Sequence, residues 1–412
     1  MPVVTHIHLG DCPPLELSLR DEAWIGCHEP QSPGEAESLD VAAATMAALQ
    51  QPVGFPPITQ AMVPGDQVAI ALGADVRQAD AVVRGLVAAL EWAGAGRESV
   101  QVVVGSTAEA DTLREQLQDL VQDGCVVIGH TPSDEKALCY LAAVDEVPLL
   151  MCRELFEADV VIPVGCGRTA GSYDSRGPYE SLYPRFSDTA TQRRYEQADA
   201  LDGPTAVSTR RGETDRAGWL LGASLVVQVV PAPGGGVAKV VAGAPDDVAQ
   251  AVAEACDSQW VQEVESRARL VVATLAGNEQ EQTWDNVARA LYAASLAADE
   301  DYSAVAICTR IHTPPGKTLR KLMTMNGDLE RVASELQGAQ TDDAQAAWEI
   351  YKALCRGPVY FMSQLDEETV EELGMTHVNS PEELTRLVER SESCLVLNEG
   401  QYAVPRFPAH SR

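Results

Sequence analysis

Aromatic residues make up only 5% of the chain, and among its ten cysteines no two stand in a Cys-x-x-Cys pair. The first shortage suits an α/β protein whose core is filled by Ala, Val and Leu. The second argues against a zinc knuckle and a disulfide framework, and leads us to expect reduced thiols in a cytoplasmic protein. No apolar run is long enough for a bilayer: the longest, Trp219 to Val230, is broken by Gly222, Ser224 and Gln228. Met1 to Gly10 lacks a basic segment followed by an apolar core, so no signal peptide is expected. Basic residues are scarce. Thirty Lys and Arg against 61 Asp and Glu give a net charge of −31, a field that repels phosphate backbones and anionic membranes, so neither nucleic acid nor membrane is an expected partner. Histidine is absent from the whole stretch between His130 and His312.

What is present is a repeating alternation of strand and helix. Apolar runs read as strands at Val3–Leu9, Gln67–Leu72, Val100–Val104 and Cys125–Ile128, with helices at Asp40–Gln50, Ala79–Ala93 and Glu109–Val121. Strands separated by helices imply right-handed βαβ crossovers and a largely parallel sheet. A β-hairpin is expected from Leu225–Val230 and Val237–Ala242 around a Pro/Gly-rich turn, followed by a helix over Asp247–Cys256 capped by Asp246. A second α/β series starts at strand Leu270–Leu275. It continues through helix Thr283–Ala297, strand Ala304–Cys308, helices Arg331–Leu336 and Ala344–Leu354, strand Val359–Met362 and helix Pro381–Arg390. The expected fold class is α/β, with two domains of mainly parallel sheets and flanking helices, residues 1–262 and 263–398.

The stretch Ala158 to Ser187 draws the most attention, because a short strand opens there into a loop dense in Gly, Tyr, Arg and Ser. Such loops at the carboxyl end of a strand are where α/β proteins place their sites. Gly165 to Ala170 fits the Gly-x-Gly-x-x-Gly/Ala spacing of a dinucleotide fingerprint, but that motif needs a helix to begin at once. Gly171, Gly177, Pro178 and Pro184 break the residues that follow. The pair His6 and His8 shares one face of the first strand, yet lacks an identifiable third metal ligand.

Ala158, Asp159, Gly165, Gly177, Tyr179, Pro184 and Ser187 together resemble the central motif of the lactate racemase family, the nickel-pincer-nucleotide proteins. The likeness extends in order along the chain. It includes the Pro/Gly turns before strand Gln67–Leu72, the segment from His130 to Leu141, and the ending Leu395–Pro405. The resemblance implies a cleft between the two domains, with the tail 399–412 returning to the first. It also implies an isomerase acting on a 2-hydroxy acid, with a nickel pincer nucleotide tethered to a lysine and histidines that complete the metal site and move the C2 proton.

At the matching positions this chain has Glu180 for the lysine, and Thr107, Ala170 and Glu196 for the histidines. A carboxylate cannot form the lysine's thioamide link, and alanine and threonine cannot shuttle protons. Arg77 falls on the family's substrate-carboxylate arginine, while Asn286 and Arg289 keep the spacing of a glutamine and a lysine that face the cleft. The expectation is a lactate-racemase-like protein with no bound metal and no pincer cofactor, acting as a binding module for a small anion such as a 2-hydroxy acid. Two alternatives remain open. One is a diverged isomerase that uses Glu180, Glu196, Asp75 or Cys166 as acid and base. The other is true nickel racemisation, with His312 or His130 entering the site.

Overall fold

The structure is a computed structural model; it describes residues 2–10, 12–20, 23–28, 39–144, 147–169, 171–173, 177–198, 203–300, 303–323 and 329–408. Two six-stranded sheets carry the fold. In the first, the spatial order is Val237–Gly243, Val226–Pro231, Val160–Cys166, Val68–Leu72, Val100–Val104 and Val126–Gly129. Every pairing is parallel except that between the first two strands, which form the expected hairpin. In the second, the order is Thr376–His377, Val359–Met362, Ala304–Cys308, Leu270–Thr274, Cys394–Leu397 and Trp24–His28, parallel throughout.

Central strands of such sheets have helices on both faces, so they are written as continuous apolar runs. All five residues of Val68–Leu72 and all five of Leu270–Thr274 are accordingly buried. Helix starts are fixed by side-chain caps: Asp40 accepts from the Ala43 N–H, Ser106 from Glu109 and Thr283 from Asn286. The last two place helices at the carboxyl ends of strands, where a site can form. Among the described residues no helix is long and apolar enough to cross a membrane.

Several local expectations need correction. The helix foreseen over Glu109–Val121 is two, Thr107–Gln116 and Gln118–Gln122, broken where Leu117 leaves helical geometry to bury its side chain. The helix Pro245–Trp260 is capped at Ala244 rather than Asp246, because Pro245 takes the first helical position, where its missing N–H leaves nothing unsatisfied. An 18-residue helix, Gly203–Leu220, went unforeseen. Its glycines, threonines and charges show no apolar period. The antiparallel pair Leu138–Val144 and Val147–Cys152 was also missed.

The chain's first strands do not follow the expected division at residue 262. Pro2–Ile7 and Leu15–Arg20 pair antiparallel, and Ile7, Leu9 and Leu17 pack in one cluster with Val272, Leu384, Val388 and Val396. Trp24–His28 then forms the edge of the second sheet beside Cys394–Leu397. Asn398, fully buried, fastens this arrangement: its Oδ1 accepts from the His8 N–H at 3.1 Å and its Nδ2 donates to the His6 carbonyl at 2.9 Å.

Replacing that amide leaves a buried donor and a buried acceptor without partners, each loss being worth roughly 1–3 kcal/mol. Asn398→Leu, which keeps the branched shape but carries no polar atom, should lower unfolding stability by about 2–4 kcal/mol in urea titrations. A change under about half a kcal/mol would show that the contact contributes little.

Candidate ligand pocket

Loops at the carboxyl ends of the central strands of the first sheet meet residues 278–289 and 342–345 of the other half around a pocket of 780 Å³. This is the usual place for a ligand in an open α/β sheet. The first half supplies residues 73–80, Gly105, Arg168 and parts of the loop 173–196. Among the described residues of that loop no helix begins before Thr189, so they offer the dinucleotide fingerprint no helix N-terminus to hold a pyrophosphate. Instead the loop is pinned by packing: the Tyr179 hydroxyl donates to the Ala223 carbonyl at 2.8 Å, and Ser181 sits against Gly73 and Gly165. Asp188 then caps the helix Thr189–Tyr195 through the N–H groups of Ala190 and Thr191.

Arg77 is 5% exposed and both of its terminal nitrogens donate within the chain. Nη1 donates to the carbonyls of Ala232 at 2.5 Å and Gly236 at 3.2 Å, both in the hairpin turn. Glu281, from the other half, presents both carboxylate oxygens to the guanidinium, Oε2 at 2.9 Å from Nη2 and Oε1 at 2.9 Å from Nε. A second carboxylate, Glu399, lies with Oε2 at 3.9 Å from Nη2 while its Oε1 accepts from the Gly234 N–H at 2.7 Å. The guanidinium also rests over the Tyr402 ring, 4.7 Å from its centroid. Burial alone would disfavour the charge on Arg77, but Tyr402, Glu281 and Glu399 outweigh it and push its pKa up. Burial pushes the Glu399 carboxyl up to about 7, against the opposing pull of Gly234 and Arg77.

A second arginine shares the same ring. Arg168 lies 5.4 Å from the Tyr402 centroid and pairs with Asp75 at 2.8 Å. A third, Arg185, donates from Nε to the Leu72 carbonyl at 3.1 Å and forms an ion pair with Glu109. A Cβ added to Gly105 would stand 2.6 Å from the Arg185 guanidinium carbon, so glycine is what lets that side chain cross the end of the strand Val100–Val104.

Of the residues singled out in the sequence, Arg77, Asp75, Glu180, Glu196, Asn286 and Arg289 all line this pocket. Asn286 donates from Nδ2 to the Glu281 carbonyl at 2.7 Å and accepts from Arg289 Nη1 at 2.7 Å, so the two cleft-facing residues are held as a unit on the second wall. Glu196 ends the helix Thr189–Tyr195, where burial, followed by the charge of Asp342, raises its pKa. Thr107 is exposed in the first turn of its helix and does not line the pocket, and Ala170 lies outside the described residues. Cys166 is buried behind the wall, where the loss of water pushes its thiol pKa up, so it offers no thiolate.

His130 is also buried away from the pocket, with Nε2 2.8 Å from the Ser187 carbonyl and a pKa lowered chiefly by burial. His312 is exposed and 3.3 Å from Glu279. Among the described residues, none lining the pocket is a histidine, lysine or cysteine, and no group of three or more His, Cys, Asp and Glu is placed to hold a metal ion. The pair His6 and His8 is part of no such group; His6 instead faces Glu16 at 3.8 Å. Sequence reasoning missed Glu281, Glu399 and Tyr402, whose only signal was their place beside turns.

Residues 11–168 match the family model described as the lactate racemase N-terminal domain. Over that segment the chain is similar to the lactate racemase N-terminal domain, and beyond it the likeness is one of fold. Its structure is similar to that of the lactate racemase apoprotein from Thermoanaerobacterium thermosaccharolyticum, with a TM-score of 0.80 at 13% identity over 98% of this chain and 100% of that one. It is also similar to a crystal structure of a protein from Thermotoga maritima, with a TM-score of 0.61 at 11% identity over 90% of this chain and 100% of that one. No curated protein matches it by sequence.

A carboxyl group raised from 4.5 to about 7 on folding binds its proton more tightly in the native state. Its contribution is therefore fully present below about pH 4.5 and is lost as pH rises through about 7. Glu399→Gln cannot ionise. Relative to wild type, the variant should gain roughly 2–3 kcal/mol between acid and mildly alkaline pH. Denaturant unfolding of both proteins at pH steps checks this, and parallel curves would show that Glu399 does not titrate in that range.

Proposed function

We propose that this protein binds a small carboxylate-bearing molecule, such as a 2-hydroxy acid, in the pocket between its two sheets, and does so without a nickel pincer nucleotide. The observation that carries the reading is the composition of the wall. Arginines come from both halves of the chain, Arg77, Arg168 and Arg185 from one and Arg289 from the other, but none of the described lining residues is a lysine or an imidazole. The pincer cofactor that the family implies needs an amine for its covalent link and an imidazole on its nickel. With Glu180 at the tether position, the residues present do not fit that group, and we route no step through it.

The arginine forks supply the polar recognition. A guanidinium presents paired N–H donors in the plane that a carboxylate accepts. Asn286, held against Arg289 at 2.7 Å, adds an amide suited to a hydroxyl or carbonyl beside that carboxylate. Removing a proton from C2 of a hydroxy acid requires a base within hydrogen-bond reach. Glu196, with its raised pKa, is the side chain of this wall best suited to that alternative role, and it keeps the diverged-isomerase reading as the rival.

Protein produced together with the cofactor-synthesis enzymes should contain well under a tenth of an equivalent of nickel. D- or L-lactate incubated with it in deuterated water should gain no deuterium at C2, yet lactate or glycolate should raise its melting temperature. Stoichiometric nickel would overturn the cofactor-free reading, and deuterium at C2 that disappears in Glu196→Gln would establish the isomerase instead.

A further inference from the structure

The most confined charged group facing the pocket is Arg77, and its partner is unusual in origin. Glu281 belongs to the short turn Glu279–Glu281 that precedes the helix Trp284–Ala297, so its carboxylate reaches Arg77 from the opposite half of the chain. It lies along the Nε and Nη2 edge of the guanidinium, accepting from Nη2 on Oε2 at 2.9 Å with Oε1 in ion-pair contact 2.9 Å from Nε, the edge on which a free carboxylate binds arginine. The turn is shaped to make this possible. Gly277 has φ +96°, and a Cβ there would lie 2.1 Å from Glu281 Oε2, so only glycine leaves the carboxylate its seat.

We infer that Glu281 is an internal competitor for the carboxylate site on Arg77, occupying the arginine fork until a ligand carboxylate displaces it. The inference rests on the reading of the pocket as a carboxylate-binding site and specifies how that site is controlled. Three observations support displacement over a permanent strut. Arg77 and Glu281 both line the pocket, and the Glu281 side chain is the more exposed of the two, so it is the partner placed to swing out toward the cavity. The remaining Arg77 bonds run to the Ala232 and Gly236 carbonyls of its own half, so the guanidinium stays in place when Glu281 leaves. Glu399, 3.9 Å away and repelled by Glu281, remains as a standby counter-charge, so the buried cation is never left alone.

Displacement has a structural consequence as well. The Arg77–Glu281 pair is a direct ionic link between the loop 73–78 and the turn 279–281, so a ligand that takes the fork exchanges an inter-half contact for a contact with itself. Occupancy and the relative freedom of the two halves are then coupled through one bond.

Isothermal titration of the full chain with L-lactate and glycolate tests this, using wild type, Glu281→Ala, Glu281→Gln and the double variant Glu281→Ala/Arg77→Met. Removing the competitor should tighten binding at least tenfold in Glu281→Ala and by a smaller factor in Glu281→Gln, which keeps the shape and serves if the alanine variant folds poorly. The gain should vanish in the double variant. Equal affinity in wild type and both single variants would overturn the competitor role while leaving the pocket reading intact, as would a gain that survives loss of Arg77. No heat of binding in any of the four proteins would overturn both.

Discussion

A guanidinium withdrawn from water must be surrounded by acceptors or it will not be buried at all, and Arg77 meets that requirement with parts from four separate stretches of chain. The loop after the strand Val68–Leu72 carries it, the hairpin turn 231–236 gives two carbonyls, the turn before the helix Trp284–Ala297 gives Glu281, and the closing segment gives Glu399 and Tyr402. These stretches are distant in sequence, and only the finished fold brings them together. The pocket therefore depends on correct seating of all four. The charge balance at Arg77 is a constraint on the entire assembly and not only on one side chain.

Around that centre the polar groups are distributed unevenly. The lining has carboxylates at Asp75, Asp80, Glu180, Glu196, Glu281, Asp285 and Asp342 against arginines at 77, 168, 185 and 289. Arg77, Arg168 and Arg185 each have a carboxylate partner inside the protein, Glu281, Asp75 and Glu109 respectively. On the proposed reading a ligand carboxylate would meet a wall whose cations already have company, and selectivity would come from how readily each internal partner gives way. In a chain with net charge −31, long-range repulsion acts against anions in general, and on the proposed reading only the local forks would offset it.

Much of the architecture was legible in the sequence because period and punctuation are local signals. The strands Val68–Leu72, Val100–Val104 and Ala304–Cys308 are apolar runs with clear ends, and the hairpin at 231–236 announces itself by its Pro and Gly. The helix Gly203–Leu220 escaped because its face has no apolar stripe, and the attachment of residues 2–28 to the second sheet escaped because pairing between distant segments leaves no local trace. In the pocket, the resemblance led to Arg77, Asn286 and Arg289, which do share one cavity. It did not lead to Glu281 or Glu399, since a lone glutamate beside a turn resembles any other solvated acid until the fold places an arginine against it.

The strand Trp24–His28 closes the edge of a sheet whose other five strands all come after residue 269. The second half of the molecule is therefore non-contiguous in sequence, and a fragment excised at the middle of the chain would leave Cys394–Leu397 with a bare hydrogen-bonding edge. During synthesis Trp24–His28 must wait, without its sheet partner, until Cys394–Leu397 has emerged. The architecture ties completion of the second sheet to a pairing across about 370 residues of chain.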